Sequence, residues 1–178
     1  MKHTDIFNQR FMKACRPLMM IGLFLLIILQ VSAQSGSINF SGTWTLNETK
    51  SKFGDSQFRF GATLLVVTHG GNTLSDERTQ PGFDGNEMKT SEKFTLDGNV
   101  CENTAFMDSK RKSTVSWTED KKSITIATST VFDMNGETRE MKSSEIWKLG
   151  EDGKSLLIES SFTSPDGEIK NSLFYDKK

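Results

Sequence analysis

The sequence predicts an all-β chain, an antiparallel up-and-down meander of eight to ten strands closed into a barrel. Three observations lead to this prediction. Short runs rich in Thr, Ser, Val, Ile and Phe alternate polar and apolar side chains, as half-buried strands do. Short turn signals join the runs, and no connection has room for the crossover helix that parallel strands need. A long meander with one apolar face covers its edges best by closing on itself.

Ten runs qualify as strands, and the pattern leaves open whether the barrel uses eight or all ten. The first run alternates around Trp44, and the second is almost wholly apolar, which favours a buried strand. Asp97-Gly98 is a hairpin signal because both residues tolerate positive φ. The predicted strands are Phe40–Leu46, Thr63–Thr68, Thr73–Thr79, Met88–Leu96, Val100–Met107, Arg111–Thr118, Ser123–Asp133, Thr138–Leu149, Ser155–Phe162 and Glu168–Tyr175.

Residues 1–33 have the composition of a secretory signal peptide. Four basic side chains precede an apolar run from Leu18 to Leu29, and Val31-Ser32-Ala33 supplies small residues at a cleavage site. The apolar run is shorter than the ~20 residues that span a bilayer. We therefore expect cleavage after Ala33, a single domain over residues 34–178, and a protein that is secreted or periplasmic without stable membrane insertion.

Composition excludes several function classes for residues 34–178. One acidic and four basic residues precede Gln34, so this part carries 18 Lys and Arg, 22 Asp and Glu, and a net charge of −4. Such a balance does not favour nucleic acid or an anionic membrane surface as a partner. Cys101 is its one cysteine. We expect a monomer without an internal disulfide. We also expect the Cys101 thiol to be buried, since unpaired cysteines are usually buried.

The segment FSGTWTLN, with Gly42 and Trp44 on the first strand, resembles the opening of lipocalins and fatty-acid-binding proteins, the calycin superfamily. The chain also resembles uncharacterised bacterial secreted proteins described as lipocalin-like. The resemblance implies a lipocalin-like barrel in which Gly42 and Trp44 are structural and Trp44 packs across the closed end. The fatty-acid-binding branch carries Arg-x-Tyr on its last strand, whereas this chain has Leu173-Phe174-Tyr175. Fatty-acid-binding proteins also have two helices after the first strand. We do not expect them here, because Glu48–Gly61 lacks apolar periodicity.

Catalytic motifs are scarce, and we expect no enzyme activity, no metal and no cofactor. The one histidine after the signal segment, His69, precedes Gly70-Gly71 at a predicted hairpin tip, where we expect it to be exposed and without a role. No second His or Cys lies at metal-ligand spacing, and no Gly-x-Ser-x-Gly elbow or phosphate-binding loop is present.

Strand alternation, counted from an inward Trp44, predicts which side chains line the barrel. Aromatic rings with a few polar groups are typical of small-molecule sites. We further expect Arg78 and Glu92 to face each other from paired strands. The candidate ligand-binding residues are Arg78, Glu92, Phe94, Trp117, Phe132, Trp147 and Tyr175.

The favoured function is an exported, soluble barrel that binds a small apolar or amphipathic molecule. The alternative is a ligand-free envelope or protein-interaction module that uses outer loops such as Gln80–Asn86. A calycin-like hydrolase or isomerase is the least favoured reading. Two carboxylates, or an Arg–Glu pair, converging in a pocket with shifted pKa values would strengthen it.

Overall fold

The computed structural model describes residues 38–55, 61–82, 85–104, 109–134, 136–164 and 167–178. These residues contain ten antiparallel strands in one sheet, which confirms the predicted fold class and selects the larger strand number. The strands are β1 Gly42–Leu46, β2 Leu64–Gly70, β3 Thr73–Pro81, β4 Glu87–Thr95, β5 Val100–Thr104, β6 Lys110–Trp117, β7 Ser123–Met134, β8 Glu137–Leu149, β9 Ser155–Ser164 and β10 Gly167–Lys177.

The sheet is an up-and-down meander that returns to its beginning. Its strand order is β4-β3-β2-β1-β10-β9-β8-β7-β6-β5, so strands adjacent in the chain pair everywhere except at one place. The first strand pairs with the last, with Trp44 opposite Lys177 and Leu46 opposite Tyr175. The exception is β4 and β5, which form the two edges of the sheet. The barrel is therefore closed except for a seam between these two strands.

Side chains replace the missing ladder at the β4–β5 seam. The Asn103 amide accepts from the Lys93 N–H at 2.9 Å and donates to the Lys93 carbonyl at 3.1 Å. The half-buried Cys101 Sγ accepts from the Thr95 N–H at 3.1 Å. The prediction of a hairpin at Asp97-Gly98 is wrong, because β4 and β5 do not pair after the turn. The chain does turn there, but the Gly98 N–H bonds to the Val115 carbonyl of β6 at 3.0 Å instead of continuing a β4–β5 ladder.

A short segment after β1 extends the barrel wall beside β10. Lys52 and Ser172 exchange two backbone hydrogen bonds of 2.8 Å, and the Asn47 carbonyl accepts from the N–H groups of Lys50 and Ser51 in a turn. The described part of Glu48–Gly61 contains no helix, as the sequence analysis expects, and residues 56–60 lie outside the described residues. Because β1 is only five residues long, the irregular segment that follows it continues the barrel wall beside β10.

One end of the barrel is filled by an apolar core around Trp44, and we call it the Trp44 end. The Trp44 Nε1–H donates to the Phe40 carbonyl at 3.0 Å, and the Lys177 Nζ lies 5.0 Å from the centre of the Trp44 ring. The Phe40 ring lies 6.1 Å from the ring of Trp147. The core cluster comprises Phe40, Trp44, Leu65, Val67, Leu74, Phe94, Leu96, Val115, Ile124, Ile126, Trp147, Leu156, Ile158, Leu173 and Tyr175.

Gly42 permits this arrangement for two reasons. Its φ is 154°, which side-chain-bearing residues rarely adopt, and a Cβ there would lie 2.6 Å from the Lys177 Cε. Any larger residue would displace the Lys177 stem from the Trp44 ring. Both residues of the Gly42-x-Trp44 motif therefore lie against Lys177 of β10, the strand that pairs with β1 to close the barrel.

Candidate functional site

Five charged side chains meet inside the barrel, and we call this group the interior charge belt: Asp76, Arg78, Glu92, Arg111 and Glu145. Strand alternation places each of them on the inner face of β3, β4, β6 or β8. On β3, β4 and β8, the residue two positions nearer the Trp44 end than Asp76, Glu92 or Glu145 is buried and apolar, namely Leu74, Phe94 or Trp147. The belt therefore lies on top of the apolar core rather than on the outer wall.

Arg78 spans the interior between two carboxylates. Its Nη1 and Nη2 donate to the two Glu145 oxygens at 2.8 and 2.9 Å, and its Nε donates to Asp76 Oδ2 at 2.9 Å. β3 and β8 are not neighbours, because β2, β1, β10 and β9 lie between them in the sheet. The bidentate pair consequently crosses the barrel lumen, where charge-assisted hydrogen bonds are strong.

Trp147 connects the belt to the apolar core. Its Nε1–H donates to Glu145 Oε2 at 2.8 Å, and the Arg78 guanidinium lies 5.6 Å from the centre of its ring. Burial by itself raises the pKa of Glu145. The Arg78 charge and the hydrogen bonds from Arg78 and Trp147 outweigh burial and hold that pKa at about 2. Glu145 is therefore ionised across the physiological pH range.

The other two carboxyl groups are less well satisfied. Arg111 Nε lies 3.2 Å from Glu92 Oε1, but neither atom has a hydrogen-bond partner among the described residues, so the ion pair is misaligned. Asp76 Oδ1 also lacks a partner there, although Asp76 is only 1% exposed and Glu92 only 3%. Burial raises the pKa of both carboxyl groups against the lowering effect of the arginines.

Short uncharged polar side chains also line the interior beside the belt. Ser113 Oγ lies 2.9 Å from Thr128 Oγ1, and both residues are buried. The Asn171 amide donates to Ser160 Oγ at 3.3 Å and accepts from the Gly54 N–H at 2.9 Å. The lumen therefore changes from apolar at the Trp44 end to charged, hydroxyl and amide groups at the level of the belt.

The predicted ligand-binding residues fall into three groups. Arg78 and Glu92 belong to the charge belt, but they do not pair as expected. β3 and β4 are registered so that Arg78 lies opposite Thr90 and Asp76 lies opposite Glu92, and each predicted partner binds a different residue. The direct Arg78–Glu92 pairing is therefore wrong.

The aromatic candidates are more widely spread. Phe94, Trp147 and Tyr175 are buried in the core cluster, and of these Trp147 contacts the belt directly. Trp117 is half-buried at the Trp44 end, 6.1 Å from the Phe40 ring. Phe132 is half-buried near the far end of β7, away from the others. The structure thus brings Arg78, Glu92 and Trp147 to one site, with Tyr175 supporting it from the core.

The candidate ligand-binding residues left out three members of the belt: Asp76, Arg111 and Glu145. Alternation did contain their signal, because Asp76 and Glu145 each share a strand face with a buried apolar residue two positions away, and Arg111 shares one with Val115 four positions away. Charged residues on such faces are unexpected unless they are paired. The pattern shows the face but not the partner across the lumen, and the partner decides whether a buried charge is stable.

His69 is also placed differently from the expectation. It is half-buried rather than exposed, and its Nδ1 accepts from the Phe40 N–H at 3.3 Å. Its ring lies 5.8 Å from that of Phe40 and 6.0 Å from that of Trp117. Burial lowers its pKa. The chain entering β1 packs over this hairpin, so the imidazole contributes to the packing of the Trp44 end.

Two grooves lined by described residues lie on the outer wall. One, of about 230 Å³, includes the outward side chains of Leu64, Val66 and Glu77. The other, of about 340 Å³, includes those of Val100, Ala127 and Lys142. Among the residues that the structure describes, no set of three His, Cys, Asp or Glu side chains is placed to hold a metal ion. Nor does this part of the chain contain a helix long and apolar enough to cross a membrane.

Comparison with known proteins gives a similarity of fold. No protein-family model matches the chain, and no curated protein sequence matches it. Among solved structures, the chain is similar to zebrafish ileal bile acid-binding protein in complex with cholic acid. The identity is 15%, the TM-score is 0.50, and the match covers 78% of this chain and 98% of the other. At this identity the likeness shows a shared barrel fold and nothing finer.

Proposed function

We propose that the protein binds a small amphipathic molecule inside its barrel and acts as a carrier rather than an enzyme. The observation that carries the proposal is the interior charge belt, where buried Asp76, Glu92 and Arg111 atoms lack hydrogen-bond partners among the described residues. Unpartnered buried polar groups are costly, and a bound polar group would satisfy them. The half-buried side chains of Phe132, Phe162 and Ile169, which strand alternation places inward on the far side of the belt, offer contact for the rest of such a molecule.

The similar zebrafish protein gives independent support for the location of the site. That protein is described in complex with cholic acid, an amphipathic molecule. The low identity does not carry the ligand over to this chain, but a shared barrel architecture favours the lumen as the place where a ligand is held.

Native mass spectrometry of the protein purified gently from its host tests the proposal. We expect one discrete added mass, which disappears after organic extraction. Ser143→Phe introduces bulk on the inner face of β8 and should abolish the added mass. Ser144→Phe, one residue along and on the outer face, is the matched control and should retain it. An unliganded protein that takes up nothing from a host lipid extract would contradict the proposal.

Export is part of the same proposal and is tested separately. The basic n-region, apolar run and Val31-Ser32-Ala33 site support removal of residues 1–33 and a secreted or periplasmic protein. Protein recovered from outside the cytoplasm should begin at Gln34 when its N-terminus is sequenced. An intact Met1 on that protein would contradict the proposal.

Acid–base catalysis is a second candidate, favoured by one specific observation. Asp76 and Glu92 lie opposite each other in the β3–β4 register, and burial raises the pKa of both. Such a pair is able to share a proton at the pH where a reaction runs. If this candidate is correct, Glu92→Gln will accumulate an unreacted form of the bound molecule with a different mass. An identical bound mass in wild type and variant supports the carrier.

A further inference from the structure

The charge belt contains one carboxylate more than it has guanidinium groups. Asp76, Glu92 and Glu145 supply three negative charges when ionised, and Arg78 and Arg111 supply two positive charges. Glu145 is fully engaged, since both of its oxygens accept from Arg78 and one also accepts from Trp147. The surplus charge therefore belongs to the side of the belt formed by Asp76 and Glu92.

This side also presents the unpartnered hydrogen-bond acceptors of the belt. Asp76 Oδ1 and Glu92 Oε1 are buried acceptors without a hydrogen-bond partner among the described residues. Their residues lie directly opposite each other on β3 and β4, where facing Cβ atoms are typically about 4.5–5.5 Å apart. An ammonium group carries three N–H donors and a single positive charge, so one such group is able to bind both oxygens.

We propose that the molecule held in the barrel is a cationic amphiphile whose ammonium group binds Asp76 and Glu92. This inference rests on the proposed function and names its ligand class. Binding one monovalent cation neutralises the belt and satisfies its unpartnered acceptors, whereas a carboxylate ligand would raise the surplus to two negative charges. Arg78 offers little to an anion because its guanidinium already donates to Asp76 and both Glu145 oxygens.

Arg111 is the group on which a competing anion would depend. Its side chain is 26% exposed and its Nε lies 3.2 Å from Glu92 Oε1. An anion bound to Arg111 would have to approach the same Glu92 carboxylate. Like charges brought together in a poorly hydrated site repel strongly, so this competition favours the cation.

Isothermal titration calorimetry with dodecylamine, dodecanol and dodecanoate tests the inference, because the three probes share a chain and differ in head-group charge. We expect dodecylamine to bind at least about 10-fold more tightly than dodecanoate. Glu92→Gln should weaken dodecylamine by about 10-fold or more, with a much smaller effect on dodecanol. Asp76→Asn should act in the same direction. Glu77→Gln, on the outer face of β3, is the matched control and should change neither probe.

The outcomes separate the two proposals. If dodecanoate binds as tightly as dodecylamine or more tightly, the ligand class is wrong, but binding in the barrel survives. If Glu92→Gln and Asp76→Asn leave the dodecylamine affinity unchanged while circular dichroism shows them folded, the assigned contacts are wrong. If none of the three probes binds saturably, the inference is overturned, and native mass spectrometry then decides whether the proposed function fails with it.

Discussion

Arg78 shows how a single buried residue depends on its partners. A guanidinium group inside a barrel pays a large desolvation penalty, which only well-aligned carboxylates offset. Asp76 provides one such contact from the same strand, and Glu145 provides a bidentate one from across the lumen. The cross-lumen pair fixes β3 relative to β8 without any shared backbone ladder. Removing one partner therefore leaves an uncompensated buried charge.

The first prediction concerns this pair. Glu145→Ala should lower the free energy of unfolding by about 3–5 kcal/mol, because Arg78 stays buried and loses its bidentate acceptor. The matched control is Glu102→Ala, which removes a pair with Lys112 whose side chains are 68% and 60% exposed. Such surface pairs contribute at most about 1 kcal/mol. Urea denaturation measures both values, and equal losses would contradict a special role for the belt pair.

The second prediction concerns pH. Burial raises the pKa of Glu92, so the native state retains a proton that the unfolded chain has lost. The stability that this group contributes is complete below the ordinary carboxyl pKa and is lost as pH rises through the raised value. Glu92→Gln removes this loss. We expect the stability of the variant relative to wild type to increase as pH rises above the ordinary carboxyl range.

Taking the difference in stability between variant and wild type removes the pH-dependent contributions of His69 and Glu145, which run opposite to that of Glu92. The pKa of His69 is lowered by burial, so its contribution grows with pH over part of the same range. The pKa of Glu145 is about 2, so its contribution is lost only as pH falls from the ordinary carboxyl range toward that value. Urea titrations at several pH values, with Glu77→Gln as control, measure the difference. A pH-independent difference for Glu92→Gln would refute the prediction.

At the residue scale, strand alternation predicted which side chains point inward better than it predicted which residues they contact. Counting from Trp44 placed Arg78, Glu92 and Trp147 on inward faces, and the structure agrees on their burial. It did not predict that Arg78 binds Glu145, since the two residues are 67 positions apart on strands that do not pair. Such contacts depend on barrel diameter and strand stagger, which no local pattern encodes.

At the scale of the element, the β4–β5 seam is the least regular part of the barrel wall. Within the described residues, β4 and β5 share no ladder, and the Asn103 amide reproduces two ladder bonds by pairing with both backbone groups of Lys93. The Cys101 thiol adds a third, weaker contact to Thr95. The seam is therefore held by side chains, which single substitutions are able to remove.

The third prediction follows from this seam. Asn103→Ala should expose the Lys93 backbone and speed exchange of its amide hydrogen, because the amide side chain is its acceptor. We expect a loss of about 0.5–1.5 kcal/mol in stability for each of the two hydrogen bonds, because the exposed Lys93 backbone groups then bind water instead. Hydrogen exchange measured by NMR tests this residue by residue. Glu102→Ala, the neighbouring exposed position on β5, should leave the Lys93 amide protected, and equal exchange in both variants would contradict the prediction.

Element boundaries were largely predictable, whereas one pairing was not. Turn residues and period-two alternation marked ten strands whose observed bounds mostly differ by one or two residues from the predicted ones. Asp97-Gly98 carried a strong hairpin signal, yet the flanking strands separate after the turn. Asp97 accepts from the Asn99 N–H and directs the chain toward β6, where Gly98 bonds to Val115. Turn chemistry sets the local bend, but neighbouring strands decide the pairing.

At the scale of the whole molecule, closure depends on pairing the first strand with the last. Three residue pairs join β1 to β10, and the Lys178 N–H adds a bond to the Thr43 carbonyl at 2.8 Å. The lysine stem of Lys177 crosses Gly42 and its Nζ lies over Trp44, so closure also covers the core. Because these strands are far apart in sequence, their pairing is costly in chain entropy and is expected to form late in folding.

The fourth prediction tests closure itself. Deleting residues 175–178 removes every β10 partner of β1 and should abolish cooperative unfolding, since both strands then become open edges beside a core that has lost its cover.

Tyr175→Ala at full length separates packing from closure. It should cost about 3–5 kcal/mol for the lost ring but keep a cooperative transition, because the ladder is intact. Deleting Lys178 alone removes one backbone bond and should cost only about 1 kcal/mol. Near-UV circular dichroism during urea titration distinguishes the three variants. A 175–178 deletion that still unfolds cooperatively near the wild-type midpoint would show that the remaining strands hold the barrel without its first and last strands being joined.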